Sequence, residues 1–412
     1  MRHNVHRKIF FISSLFLTFC LPLFQKVIPA IIVVMMANWL ISGIYLTTIP
    51  KLLKDKWRIL TLSFASLYLL YLSGMLYSTN YIYGLSDLGV KFSLFIFPVI
   101  FATSYFPLFS KKETGIILRV FAAGCIAGSL MLIGRAFYHS IFLHQPGVFY
   151  YDSLSWIFHP GYYSMYIAFA MSNILYFLLI RQSVKGFLKV AGHILILLFF
   201  TLMIVLLSSK AGLLIWISVI CFYAILLLVK YKRWLTSVTF VAVAFTAFIL
   251  FLLTFPKAAS RVSQAKQDIA SADSIAKSGR STGDRVLIWQ SSKEIVKQNF
   301  LFGVGTGDVR DKLMEEYKRK DVLTVLKHYL NAHNQYLQTL IALGISGLLL
   351  LMAMILMPAI FSVKRENYIY FAFLFIVGIS MFFESMLERQ QGVVFYVFFN
   401  TFLFAGAVVD TG

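Results

Sequence analysis

An α-helix takes roughly 20 mostly apolar residues to cross about 30 Å of hydrocarbon, and this 412-residue chain offers runs of that length repeatedly, separated by short polar punctuation. A membrane-spanning barrel would instead show alternating segments of about ten residues. Hydrophobic residues make up 59% of the chain, above the roughly one half of an ordinary soluble protein. The sequence therefore reads as an all-α integral membrane protein. Twelve spans are expected, at 9–24, 27–46, 57–77, 91–108, 114–138, 160–180, 190–208, 211–229, 234–254, 334–357, 367–384 and 392–409. The first reads as a retained helix rather than a signal peptide, because no small-residue cleavage pattern follows it and Pro22 to Lys26 turn directly into the second.

Basic residues in short loops stay on the cytoplasmic side. With the N-terminus inside, the inner loops hold 17 Lys and Arg, against four (Lys26, Lys91, Lys210 and Arg389) at the short outer turns. The asymmetry predicts both termini in the cytoplasm. It also gives about half of the basic residues a topological role, so the net charge of +20 does not point to nucleic acid. Cys20, Cys125 and Cys221 all fall within expected spans without paired spacing, which argues for packing residues rather than a disulfide framework or a zinc site.

Three regions follow: spans 1–9 over residues 1–254, a large outer loop over 255–333, and spans 10–12 over 334–412. Loops of this length are uncommon unless functional or disordered. Residues 257–277 read as a weakly amphipathic, solvated helix. S-T-G-D-R-V-L-I-W reads as the start of another, with Asp284 as its N-cap and Arg285 opening it, and Asp308 is placed to cap a third. The intervening G-V-G-T-G-D lacks the Lys and Ser/Thr of a nucleotide loop and follows no strand, so it reads as a flexible turn between helices. The loop carries 14 Lys/Arg against nine Asp/Glu, an excess that either attracts an anionic head group or forms a solvated face.

Several outer residues are chemical candidates. Lys210, in L-L-S-S-K-A-G, sits in a tight outer turn where a basic residue is disfavoured, which marks a functional position or a side chain snorkelling to the interface. Arg285 can fork onto phosphate oxygens or pair with a nearby carboxylate; Arg280 is a weaker candidate of the same type. In Y-L-N-A-H-N-Q-Y, Asn331 reads as an N-cap that puts His333 and Asn334 in the first turn of span 10, where an imidazole can act as a general base or merely occupy the interface. His159 precedes Pro160, a good first helical residue. Glu384, Glu388 and Arg389 cluster in one polar turn, as an internal ion-pair network or as donors and acceptors for a sugar.

S-S-K-A-G at an outer turn, G-D-R-V-L-I-W in the long loop and A-H-N-Q-Y-L-Q-T-L-I-A-L-G at its exit, in that order, together resemble the O-antigen ligase family, with its related polymerases and O-oligosaccharyltransferases. The resemblance implies a GT-C-like glycosyltransferase in the bacterial inner membrane. Such an enzyme takes a glycan from undecaprenyl pyrophosphate at the periplasmic face and joins it to a hydroxyl, for ligases on lipid A-core. It further implies that His333 is the essential histidine, Arg285 the loop arginine and Lys210 the basic residue of the turn, where the family carries arginine. No cofactor or metal is expected, since no carboxylate cluster with metal spacing stands in the loop. A polymerase would use the same donor. A polytopic glycan transporter, an alternative of a different class, should show internal repeats and midplane charges, whereas the distinctive polar residues here lie near outer helix ends.

Overall fold

The computed structural model describes residues 2–104, 108–145, 147–260, 281–321 and 330–409. Among the described residues the chain is all-helical, and ten helical stretches are long and apolar enough to cross a membrane, from Gln25–Ser42 to Gln390–Val408. Two other expected spans are also helical, at Arg2–Cys20 and at Tyr368–Phe383, the latter a shorter apolar helix. The final helix, Gln390–Val409, forms the axis of the bundle, with Phe395 and Phe399 buried among Phe121, Phe169 and Phe373 at ring separations of 5.0–5.9 Å. In lipid, packing contacts of this kind rather than exclusion of water hold helices together. Helix Trp234–Thr254 is the opposite case: its side chains are largely exposed, as an outer helix facing lipid should be.

One expected boundary moves. Span 4 was expected from residue 91, but helix Tyr81–Lys91 begins a turn after Tyr77, capped by Asn80, whose Oδ1 accepts the Tyr83 N–H at 3.1 Å. Ser86, Asp87 and the glycines of this helix hide it in a hydropathy reading. Lys91 therefore stands not in an outer turn but inside the bundle, fully buried, bonded to Asp87 and at 2.8 Å to Glu388.

The loop's helices form at Ser281–Gln298 and Val309–Arg319. Residues 261–280, including Arg280 and most of the helix expected over 257–277, lie outside the described residues. Asp284 falls within the first turn of its helix rather than capping it. Asp308 occupies the N-cap position, yet its carboxylate turns away to accept the backbone N–H groups of Thr79 and Asn80 at 2.7–2.9 Å.

The G-V-G-T-G-D turn is a docking element rather than a flexible one. Helix Gln335–Lys364 breaks at Gly344, with φ 64° and ψ −160°, a combination essentially restricted to glycine. The backbone groups freed by the break are completed by the turn: Val304 and Gly305 donate to the Ile341 and Ala342 carbonyls at 2.9 and 3.0 Å, and Ile345 donates to Phe300 at 2.8 Å. A Cβ at Gly303 would lie 2.4 Å from the Ala342 carbonyl carbon, so glycine there permits the approach. Broken helices at membrane depth require such partners, because an unsatisfied backbone group in lipid costs several kcal/mol.

Candidate functional site

Three segments far apart in sequence deliver their polar residues to Glu384. This residue ends helix Tyr368–Phe383 in an extended conformation, 8% exposed. Arg285, one turn into its helix, reaches Glu384 Oε1 at 3.1 Å. His333 Nδ1 lies 3.4 Å from Oε2, and His159 Nδ1 3.4 Å from Oε1. The N-terminus of helix Pro160–Leu175 also faces the carboxylate, since a Cβ at Gly161 would sit 3.5 Å from Oε1, and a positive helix end favours an anion.

Burial by itself would raise the Glu384 carboxyl. The His333 hydrogen bond, the charge of His159 when protonated, and the charges of Arg285 and of protonated His333 outweigh it and hold the group below its ordinary range. His159 moves down as well, because burial disfavours its cation and the charges of Arg285 and His333 add to that, against the opposing pull of Glu384 and Asp152. A neutral His159 fits its other contact. Its Nδ1 accepts the Gly161 N–H at 3.3 Å as a helix cap, so that atom carries no proton for Glu384, and the ring's Nε2 is the protonated nitrogen.

His333 does not lie in the first turn of the span. Asn334 is the N-cap, its Oδ1 accepting the Leu337 N–H at 3.0 Å, and His333 precedes it with φ 44°. Left-handed backbone is uncommon outside glycine and gathers at functional positions. Asn331 contributes differently from the expected cap: its Oδ1 accepts the His333 N–H at 3.1 Å and so fixes the turn. Around this turn, Trp289 donates to Ala332 O at 3.0 Å, Gln338 Oε1 accepts Ala332 N–H at 3.1 Å, and Asn334 N–H donates to Ser385 Oγ at 3.2 Å. Gln335 Oε1 accepts Leu387 N–H at 2.7 Å. These contacts tie the His333 turn to the Glu384 turn and fix the distance between the two side chains.

Of the other candidates, Lys210 opens helix Lys210–Ile225 behind Ser209, whose Oγ caps Gly212. Gly212 packs against Ser164 on the helix that His159 caps. Arg389 lies exposed at the end of the polar turn and lines a separate cavity with Glu388. Sequence reading did not single out Trp289, Gln335, Gln338 or Ser385, whose partners are long-range. It also missed the Asp87–Lys91–Glu388 triad, although opposite charges four residues apart in an apolar stretch were a readable signal.

What the arrangement can do chemically is hold a histidine in one orientation beside a carboxylate, with a guanidinium at the same point. Among the described residues no group of three His, Cys, Asp or Glu is placed to hold a metal ion. Residues 194–352 match the protein family described as O-Antigen ligase. The matched stretch contains Lys210, Arg285 and His333, while His159 and Glu384 lie on either side of it. An uncharacterised protein of Haemophilus influenzae is 28% identical over 140 residues, 33% of this chain and 34% of the relative. The chain thus spans about a third of the length of the curated relative it matches. The matched stretch lies within an array of apolar helices long enough to cross a membrane, which makes this a multi-pass membrane protein.

Proposed function

We propose that the protein transfers a glycan from undecaprenyl pyrophosphate to a sugar hydroxyl of lipid A-core, with inversion at the anomeric carbon and without a metal. The observation that carries the reading is the convergence of His333, Arg285 and His159 on one buried carboxylate. In this reading Glu384 accepts the His333 Nδ1–H, which leaves Nε2 to take the proton of the attacking hydroxyl. The hydroxyl oxygen forms its bond to the anomeric carbon as the bond to the pyrophosphate oxygen breaks, and the electron pair leaves on that oxygen. Arg285 and Lys210 stabilise the developing charge. A guanidinium carries five N–H donors, so the Glu384 contact leaves geometric capacity for phosphate. Asn334, Arg389 and the undescribed Arg280 are assigned supporting contacts to substrate.

The proposed setting is the bacterial inner membrane, with both termini cytoplasmic and the cluster facing the periplasm, supported by the asymmetry of basic residues between inner and outer loops. The loop over 255–333 then stands outside, between spans 9 and 10. The deciding experiment gives purified protein a lipid-pyrophosphate glycan with either lipid A-core or a second glycan carrier. Transfer to lipid A-core is expected. Chain growth on the carrier would replace the ligase with a polymerase, and no glycosyl product with either acceptor would reject the reaction.

A further inference from the structure

The polar turn over 384–389 has two sides. Glu384 faces His333, whereas Glu388 and Arg389 line a separate cavity of about 330 Å³, whose wall also holds Tyr83, Asp87, Arg310 and Asn331. We infer that this cavity is a subsite for one sugar residue of the glycan, next to the residue that reacts. The inference rests on the glycosyl-transfer reading above.

Its chemistry selects the ligand class. Asp87 and Glu388 are both bonded to the ammonium of Lys91, which is wholly buried behind them. Two guanidinium groups, those of Arg310 and Arg389, share the same wall. A phosphate would meet two carboxylates there, and a cation would compete with an ammonium already in place and with two arginines. A polyhydroxyl ring suits the mixture, because each hydroxyl both donates and accepts: carboxylates take its protons and guanidinium groups serve its oxygens. Tyr83 adds an aromatic ring, with the Arg310 guanidinium 5.8 Å from its centre. The volume lies within the range of small-molecule sites, about 300–1,000 Å³.

The cavity is also wired to His333. Asn331, in its wall, holds the His333 N–H, and Gln338, also in its wall, holds the Ala332 N–H. A sugar seated there lies along the segment that carries the proposed base, and Glu388 belongs to the same short turn as Glu384.

The test uses Ser86→Phe, which fills the rim of the cavity from an exposed lining position, and Arg310→Ala, which removes a wall donor. Two soluble probes are titrated into the purified full-length protein: core oligosaccharide freed of lipid A by mild acid, and donor glycan freed of its pyrophosphate. Both variants should weaken one probe and raise KM for the matching substrate by about tenfold with kcat within about twofold, the signature of lost uniform binding. Loss confined to core oligosaccharide places the acceptor in the subsite, and loss confined to the freed glycan places the donor there. Unchanged probe binding and unchanged KM for both substrates in both variants would overturn the inference. If the wild-type protein makes no transfer product while probe binding still responds to the variants, the reaction reading fails and the subsite stands.

Discussion

Glu384→Gln isolates the charge at the centre of the cluster, because glutamine keeps the shape and one acceptor oxygen. Arg285 lies 3.1 Å from the carboxylate, at 20% side-chain exposure. At an effective dielectric of about 20 such a pair is worth about 5 kcal/mol before desolvation, and removing one partner of a buried pair costs about 3–5 kcal/mol net. The variant should therefore unfold at visibly lower temperature. Catalysis should fall further than folding explains. Without a carboxylate to accept the Nδ1–H, His333 loses the partner that fixes its tautomer, and the equivalent loss in an acid–histidine pair lowers kcat by up to about 10⁴. A drop of about two to four orders of magnitude in transfer is expected, about 3–5 kcal/mol of barrier at 1.36 kcal/mol per tenfold. Transfer by purified protein is measured beside His333→Ala and the double variant. His333→Ala should abolish transfer while folding and insertion remain intact, and the double variant should be no worse than it, as for residues acting as one unit. Near-normal kcat in Glu384→Gln, or losses that multiply in the double variant, would refute the orienting role.

Lys210→Arg should retain substantial transfer if charge is what the turn supplies; complete loss, measured with the same donor, would show that side-chain geometry decides. Lys91→Met leaves Asp87 and Glu388 buried without their cation and should cost about 3–5 kcal/mol, read as thermal unfolding in detergent; an unchanged melting temperature would remove the triad from the account of stability. Gly344→Ala puts a Cβ 2.3 Å from Leu301 O at positive φ, for a loss of about 3 kcal/mol or more that folding yield and melting would report. Acid should destabilise the protein in two stages. His159 and Glu384 both have folded pKa values below their ordinary ones, so the unfolded chain binds more protons. The stability they give is complete above the unfolded values and is lost as pH falls through the folded ones, beginning below about 6.5 for the histidine and about 4.3 for the glutamate. His159→Gln should flatten the first stage in a melting-temperature profile; an unaltered profile would contradict this.

Hydropathy was enough to place the long apolar helices, because a span has to be apolar to be inserted at all. It failed at Tyr81–Lys91, where polar residues are tolerated since they meet partners inside the protein: Asp87 and Lys91 neutralise each other and share Glu388. Candidate residues were legible one by one, as charges at outer helix ends. Their convergence was not, since His159 and Glu384 are 225 positions apart in the chain and only packing of the spans brings them together. Caps show the same limit. Asn331, Asp284 and Asp308 all suit the role by residue type, yet Asn331 bonds the His333 N–H two residues on, Asp284 falls inside its helix, and Asp308 is drawn to the distant backbone of Thr79 and Asn80.

The break at Gly344 sets how far His333 reaches. A Cβ at Gly378 would lie 3.8 Å from Ile355, so the two helices are level there. From that level an unbroken helix would carry Asn334 about 31 Å upward over 21 residues, whereas Ser385, to which Asn334 is bonded, stands only about 10 Å up over seven. The break at Gly344 therefore turns the first nine residues, about 13 Å of helix, off that axis and back toward Gly378, whose carbonyl the Tyr336 hydroxyl reaches at 2.9 Å. In the proposed orientation the base is thereby lowered toward the lipid head groups. A polyprenyl donor can then present its anomeric carbon while its tail stays in the bilayer, and the acceptor has to be brought down to meet it.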